Sequence, residues 1–239
     1  MGYQMTFKRY EMKYMLTQAQ KEALLQVMEP YMALDQYGRT TIQNLYYDTD
    51  SFRLVRRSME RPEYKEKLRV RSYGTAKDGG TVFVELKKKY ESVVYKRRLS
   101  LPEDKAMAWL AGDDAAAPEG QIASEILYFR NFYRNLKPKV FLSYEREAYF
   151  ERSGGDFRVT FDDNILMRET ELSLKSSAWG RQLLPEGMVL MELKTPGGIP
   201  LWMTQFLTRN HIYKTSFSKY GTAYETAIFP REEGARKYA

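Results

Sequence analysis

The chain has 239 residues, 43% of them hydrophobic and 14% aromatic, enough for the core of one large domain or two small ones. It has no cysteine and a single histidine, His211. That excludes a disulfide framework, a thiolate zinc site, a thiol nucleophile and a histidine-rich metal site, and it confines any Ser-His-Asp triad to His211. The formal net charge of +7 predicts an anionic partner, because a positive field concentrates anions and steers their encounter.

Any metal must rest mainly on carboxylates, the donor set of Mg²⁺ or Mn²⁺. No apolar run approaches the ~20 residues that cross a bilayer, and the opening MGYQMTFKRYEMKYM lacks the apolar centre of a secretory signal. The expectation is a soluble, cytoplasmic protein without a transmembrane segment.

Phe7 to Leu16 alternates Arg9, Glu11 and Lys13 against Tyr10, Met12 and Tyr14, which predicts a strand with one charged face. Thr17 and Gln20 form a capping box for a helix running toward Leu34, with Ala23, Leu24, Val27, Met28 and Tyr31 as its core stripe. A strand follows over Arg39 to Asp48, then a short helix on which Arg53, Arg56 and Arg57 are solvated charges.

From Lys65 to Leu101 three strand-like runs follow one another. Lys67, Arg69 and Arg71 oppose Leu68 and Val70; Phe83, Glu85 and Lys87 oppose Val82, Val84 and Leu86; Lys96, Arg98 and Ser100 oppose Val93, Tyr95, Leu99 and Leu101. Pro102 suits the first position of a helix, Gly112 to Gly120 is a loop, and a helix over Ile122 to Leu136 packs Ile126, Phe129 and Tyr133. Strands over Lys139 to Phe150 and Asp156 to Ile165 form a hairpin through Ser153-Gly154-Gly155. One more strand, Met188 to Thr195, sets Glu192 and Lys194 against Val189, Met191 and Leu193. Helices over Pro200 to Asn210 and Ser216 to Ala227 and a frayed tail from Pro230 complete the chain.

Strands with one apolar and one ionic face, accompanied by amphipathic helices, are reconciled by a barrel with helices packed outside and charges inside. A lumen so lined must hold water and an ionic ligand. Its cations outnumber its carboxylates, so a linear chain of phosphates is the natural occupant, with a divalent cation for the glutamates. The fold class expected is α+β, an eight-stranded antiparallel tunnel closed around a charged lumen.

Taken in order, Arg9-x-Glu11-x-Lys13, the run Leu45 to Thr49, Lys67-x-Arg69-x-Arg71, Glu85-x-Lys87, Lys96-x-Arg98, Tyr144-x-Arg146, Glu192-x-Lys194 and Ser218-Lys219 resemble the VTC domain. This is the polyphosphate polymerase branch of the triphosphate tunnel metalloenzymes, a CYTH-like superfamily. The resemblance implies a single domain over residues 1–239, with its core at about 7–226 and a tail at 230–239. It implies transfer of the γ-phosphoryl group of ATP to a growing inorganic polyphosphate chain, with Mn²⁺ or Mg²⁺ as cofactor.

Carried over residue by residue, Lys67, Arg69, Arg71, Lys87, Arg146 and Lys219 are catalytic. Arg9, Lys13, Lys96, Arg98, Tyr144, Lys194 and Ser218 bind substrate, and Glu192, Glu85 and Glu11 bind the metal. The partners implied are ATP and inorganic polyphosphate, pyrophosphate or triphosphate, and no nucleic acid; a membrane partner and the oligomeric state stay open. Arg9 replaces the first glutamate of the superfamily's Glu-x-Glu-x-Lys, which suits polymer binding better than hydrolysis of a small triphosphate. The alternatives are a tripolyphosphate or nucleoside triphosphate hydrolase of the same fold and a non-catalytic polyphosphate-binding module. Pairing with Lys87 or Arg69 is as good a reading of Glu85 as metal binding, and Asp162 reads as a hairpin or surface residue.

Overall fold

The structure, a computed structural model, describes residues 10–91 and 93–230. The strands are β1 (Tyr10–Thr17), β2 (Met32–Leu34), β3 (Thr40–Asp48), β4 (Tyr64–Tyr73), β5 (Thr81–Tyr90), β6 (Val93–Pro102), β7 (Lys137–Glu151), β8 (Arg158–Arg168), β9 (Arg181–Gln182), β10 (Met188–Thr195) and β11 (Lys214–Thr215). The α-helices are α1 (Gln18–Met28), α2 (Arg53–Met59), α3 (Glu103–Ala111), α4 (Gln121–Tyr133), α5 (Leu201–Arg209) and α6 (Lys219–Ala223). The hydrogen-bonded order of the sheet is β11-β1-β10-β8-β7-β3-β4-β5-β6, with β2 on β7 and β9 on β8.

The α+β class and the antiparallel pairing expected from the sequence are what the chain adopts. The eight-stranded closed barrel is not. Among the described residues the sheet has eleven strands, and its path ends at β11 and β6 instead of joining. The extra strands β2, β9 and β11 are two or three residues long, too short to leave a period in the sequence. Closure is a matter of which backbones exchange hydrogen bonds, and alternation of side chains carries no record of that.

The chain divides into two compact units. The first comprises the described part of Met1–Thr40 with Tyr144–Ile165 and Leu184–Phe217; the second comprises Thr41–Ser143, Leu166–Leu183 and the described part of Ser218–Ala239.

In the first unit β1 pairs with β10, and β10 with β8. Tyr14, Leu16, Val159, Phe161, Val189, Met191 and Leu193 on one face pack against Leu24 and Met28 of α1 and Met203, Phe206 and Leu207 of α5. The capping box is present: Thr17 Oγ1 accepts from Gln20 N–H at 3.2 Å, and Gln20 Oε1 accepts from Thr17 N–H at 2.9 Å. Helix α1 stops at Met28, earlier than its apolar stripe predicts, because Pro30 has no N–H to continue it. Of the expected stripe only Leu24 and Met28 are buried: Ala23 and Val27 lie on the outer side of the helix and Tyr31 beyond its end, while Lys21 is buried, held by Glu147 at 3.0 Å.

In the second unit β3, β4, β5 and β6 are successive antiparallel neighbours. Their apolar face, including Leu45, Leu68, Val70, Val82, Val84 and Leu86, is covered by Trp109 of α3 and Ile126, Phe129 and Tyr133 of α4. Pro102 ends β6 and caps α3 rather than opening it. The C-terminal helix expected over Ser216 to Ala227 is present but starts at Lys219, as α6, and continues through a π-helical turn at Tyr224–Ile228. The expected tail lies outside the described residues from position 231.

Candidate functional site

The register of β3 to β6 sorts the ionic residues of the second unit into rows running across the strands. Lys67, Lys87 and Lys96 stand side by side; Tyr46, Arg69, Glu85 and Arg98 form the next row; Asn44, Arg71, Phe83 and Ser100 form the third. Because residues two apart share a face, the rows form one surface opposite the apolar core. This is the surface that the alternation from Lys65 to Leu101 predicts.

Glu85 is its hub. It is 1% exposed and takes charge-assisted contacts from four cations. Arg69 Nε donates to Oε2 at 2.7 Å, Arg98 Nε to Oε1 at 2.7 Å, Lys96 Nζ lies 2.6 Å from Oε1, and Arg71 Nε lies 3.8 Å from Oε2. Burial alone would raise this carboxyl, but Arg69, Arg71 and Lys96 hold it far below the usual carboxylate range. Both of its oxygens thus already accept from cations.

Each arginine also has a second anchor. Arg69 donates to the Tyr46 hydroxyl at 3.0 Å, Arg71 to Asn44 Oδ1 at 2.9 Å, and Arg98 to the Tyr73 hydroxyl at 3.2 Å while lying over the Phe83 ring. Burial would raise the Tyr46 phenol, but Arg69 and Arg71 outweigh it and bring the phenol below its ordinary value. Ser218 and Lys219 belong to the same unit. Lys67 Nζ donates to Ser218 Oγ at 3.1 Å, and the same Oγ accepts Gly221 N–H at 3.2 Å as the cap of α6. Lys219 is close enough to act on the Tyr46 phenol.

The first unit carries a mixed ionic face. Lys13 stands opposite Glu192, which stands opposite Thr160, while Glu11 stands opposite Lys194. Lys194 Nζ lies 3.0 Å from Glu192 Oε1, and Lys13 Nζ donates to the Phe217 carbonyl at 2.5 Å. Arg146 grips Asp162 with both prongs, Nε to Oδ1 at 2.6 Å and Nη2 to Oδ2 at 2.7 Å, and stacks on the buried Tyr144 ring at 5.0 Å. Burial works to lower this guanidinium, but Tyr144, Asp162 and Glu192 hold it well above its ordinary range.

Asp162 is therefore not the hairpin or surface residue that its sequence suggests. It is fully buried within β8 and orients Arg146. The signal was present in the alternation Thr160-x-Asp162, on the face opposite Val159 and Phe161. Sequence reasoning also passed over Lys65 and Lys89, which are cross-strand partners one step beyond Lys67 and Lys87 on the same face. Arg9 lies outside the described residues. His211 is exposed after α5.

Among the described residues no three carboxylate or imidazole groups gather into a cluster able to hold a metal. Glu11 and Glu192 are diagonal neighbours across β1 and β10. That pair fits a hard cation of the kind that takes one or two carboxylates and completes its shell with phosphate oxygens and water.

With this geometry in hand, comparison with known proteins gives a consistent result. Residues 8–228 match the family described as the VTC domain. Subunit 4 of the vacuolar transporter chaperone complex of Schizosaccharomyces pombe is 30% identical in an alignment 163 positions long that covers 59% of this chain. The aligned stretch is 22% of that relative's length, so the chain spans well under half of it. Among solved structures, an adenylate cyclase candidate from Bacillus halodurans superposes with a TM-score of 0.53 at 15% identity, over 88% of this chain and 95% of the other. An adenylyl cyclase candidate from Hippeastrum, described as having a dominant triphosphatase activity, gives 0.51 at 14% identity over 88% and 92%. At these identities the structural likenesses establish the fold alone.

Proposed function

Because the chain belongs to the VTC domain family, we propose that it is an ATP-dependent polyphosphate polymerase, a single domain over residues 1–239 that moves the γ-phosphoryl group of ATP onto a growing polyphosphate chain. The observation that carries this reading is the set of cation rows on β4, β5 and β6, where arginines fixed by Glu85 lie beside a row of lysines. Phosphoryl transfer asks the protein for positioning and charge neutralisation more than for covalent chemistry.

Arg69, Arg71 and Arg98 are forks whose orientation is set by Glu85, Tyr46, Asn44 and Tyr73, so they meet phosphate oxygens with little reorganisation. Lys67, Lys87 and Lys96 supply point charge. A terminal phosphate oxygen of the acceptor chain attacks the γ-phosphorus, the bond to the β–γ bridging oxygen breaks, and ADP leaves with that oxygen and its electron pair. The acceptor is already anionic, so no general base is required. In the first unit, Glu192 and Glu11 are the residues that would hold Mn²⁺ or Mg²⁺, whose chemistry when bound is neutralisation of phosphate charge.

Incubating the protein with ATP and Mn²⁺ should give a polyphosphate ladder on a gel. Orthophosphate without polymer would replace the reading with hydrolysis, the activity named for the Hippeastrum neighbour. Lys87→Ala and Glu192→Ala should each lower turnover by about 100-fold or more while circular dichroism stays unchanged; full activity in both variants would remove the site assignment.

A further inference from the structure

The lysine rows of the second unit do not stop where the site described above stops. Lys65 lies directly opposite Lys89, two residues beyond Lys67 and Lys87, so a row of two lysines continues the row of three on the same face. Both side chains are half-buried, and among the described residues neither makes a hydrogen bond or an ion pair.

Like charges placed directly opposite on neighbouring strands destabilise a sheet. The arginine rows, and Lys96 beside them, relieve this repulsion through Glu85, whereas the row of Lys65 and Lys89 holds no carboxylate. Burial and the nearby charges of Lys89, Arg61 and Lys87 bring the Lys65 ammonium below its ordinary value, which marks the spot as one where an added anion is welcome. Residue type divides the face in the same way. Arginine forks suit a phosphate held in one orientation, while lysines on flexible stems accept any phosphate oxygen and release it readily.

Rows lie roughly 6.5 Å apart along a strand, so the span from Arg71 to Lys65 is roughly 20 Å. A triphosphate is too short to touch both ends of it. We propose that Lys65 and Lys89 form a polymer-holding subsite that makes this face prefer long inorganic polyphosphate over triphosphate. The proposal rests on the polyanion reading of the neighbouring rows and adds the class of substrate that they extend to.

The test is calorimetric titration of the full chain with tripolyphosphate and with long-chain polyphosphate at several salt concentrations. In the double variant Lys65→Ala/Lys89→Ala, the ratio of long-chain to tripolyphosphate affinity should fall roughly tenfold. The slope of log Kd against log salt for the long chain should become shallower by about 1.5, roughly 0.7 for each lysine removed. Lys65→Arg/Lys89→Arg should restore both. An unchanged ratio in the alanine variant overturns the subsite while leaving the proposed function intact. A wild-type protein that binds neither polyanion overturns both, and one in which only a single-stranded oligonucleotide shows the lysine dependence overturns the polyphosphate assignment.

Discussion

Glu85 shows how a single carboxylate can organise a cationic surface. Its folded-state ionisation lies far below that of an unfolded glutamate, near 4.3, so its contribution to stability is complete above that pH and is lost as the pH falls below it. Glu85→Gln leaves Arg69, Arg71, Lys96 and Arg98 facing one another and should cost about 3–5 kcal/mol at pH 7. Urea unfolding should find that gap at neutral pH and a smaller one near pH 3.5; a gap independent of pH would contradict the assignment. Lys96 responds at the other end of the scale. Burial, helped by Arg98 and Arg69 and opposed by Glu85, brings its ammonium down to about 8. Its charge is therefore lost as the pH rises through that value, and tripolyphosphate affinity should weaken by about 1 kcal/mol, roughly fivefold, between pH 7 and 9. In Lys96→Arg the profile should be flat over the same range.

At the scale of the element, the run Leu45 to Thr49 was legible as a strand and as part of a family motif, but its work was not. Asp48, buried at the end of β3, accepts N–H groups from Thr49 at 2.8 Å, Leu54 at 2.9 Å and Val55 at 3.0 Å, and the Tyr220 hydroxyl at 2.9 Å. It supplies the cap that α2 lacks, since Phe52 at the N-cap position has a left-handed backbone and no side-chain acceptor. One carboxylate thereby ties β3, α2 and α6 together. Asp48→Ala should destabilise the chain by about 2–4 kcal/mol, read as a lowered Tm, with amides of α2 losing protection first in hydrogen exchange. Arg168 was equally hidden. It is buried, donating to the carbonyls of Glu171, Ser173, Ser177 and Trp179 and lying over Phe141 and Trp179. Loop carbonyls leave no mark in a sequence, so neither role follows from spacing, whereas the alternation of β4, β5 and β6 gave both faces directly.

For the molecule as a whole, a polyanion that binds only the folded chain must stabilise it by mass action. Tripolyphosphate at 100 times its Kd should add about 2.7 kcal/mol, and Tm should rise with ligand concentration and fall back with added salt. An unmoved Tm would count against the cation rows as a binding surface. The ionic face was readable from side-chain periodicity, and the family and the antiparallel pairing from the ordered charged motifs that resemble it. The open path of the sheet was not, because it is decided by backbone partners. That path has a consequence of its own. Among the described residues β6 is the last strand in the order, so one side of its backbone offers N–H and C=O groups to any extended segment that approaches. Such an edge is a template for fibre growth unless it is guarded. Lys96, Arg97 and Arg98 sit in its middle and Pro102 closes it, so two copies meeting edge to edge would bring like charges together and lose a backbone donor. The same cations that make this face a candidate phosphate surface thus also guard the edge of the sheet against pairing with a second copy.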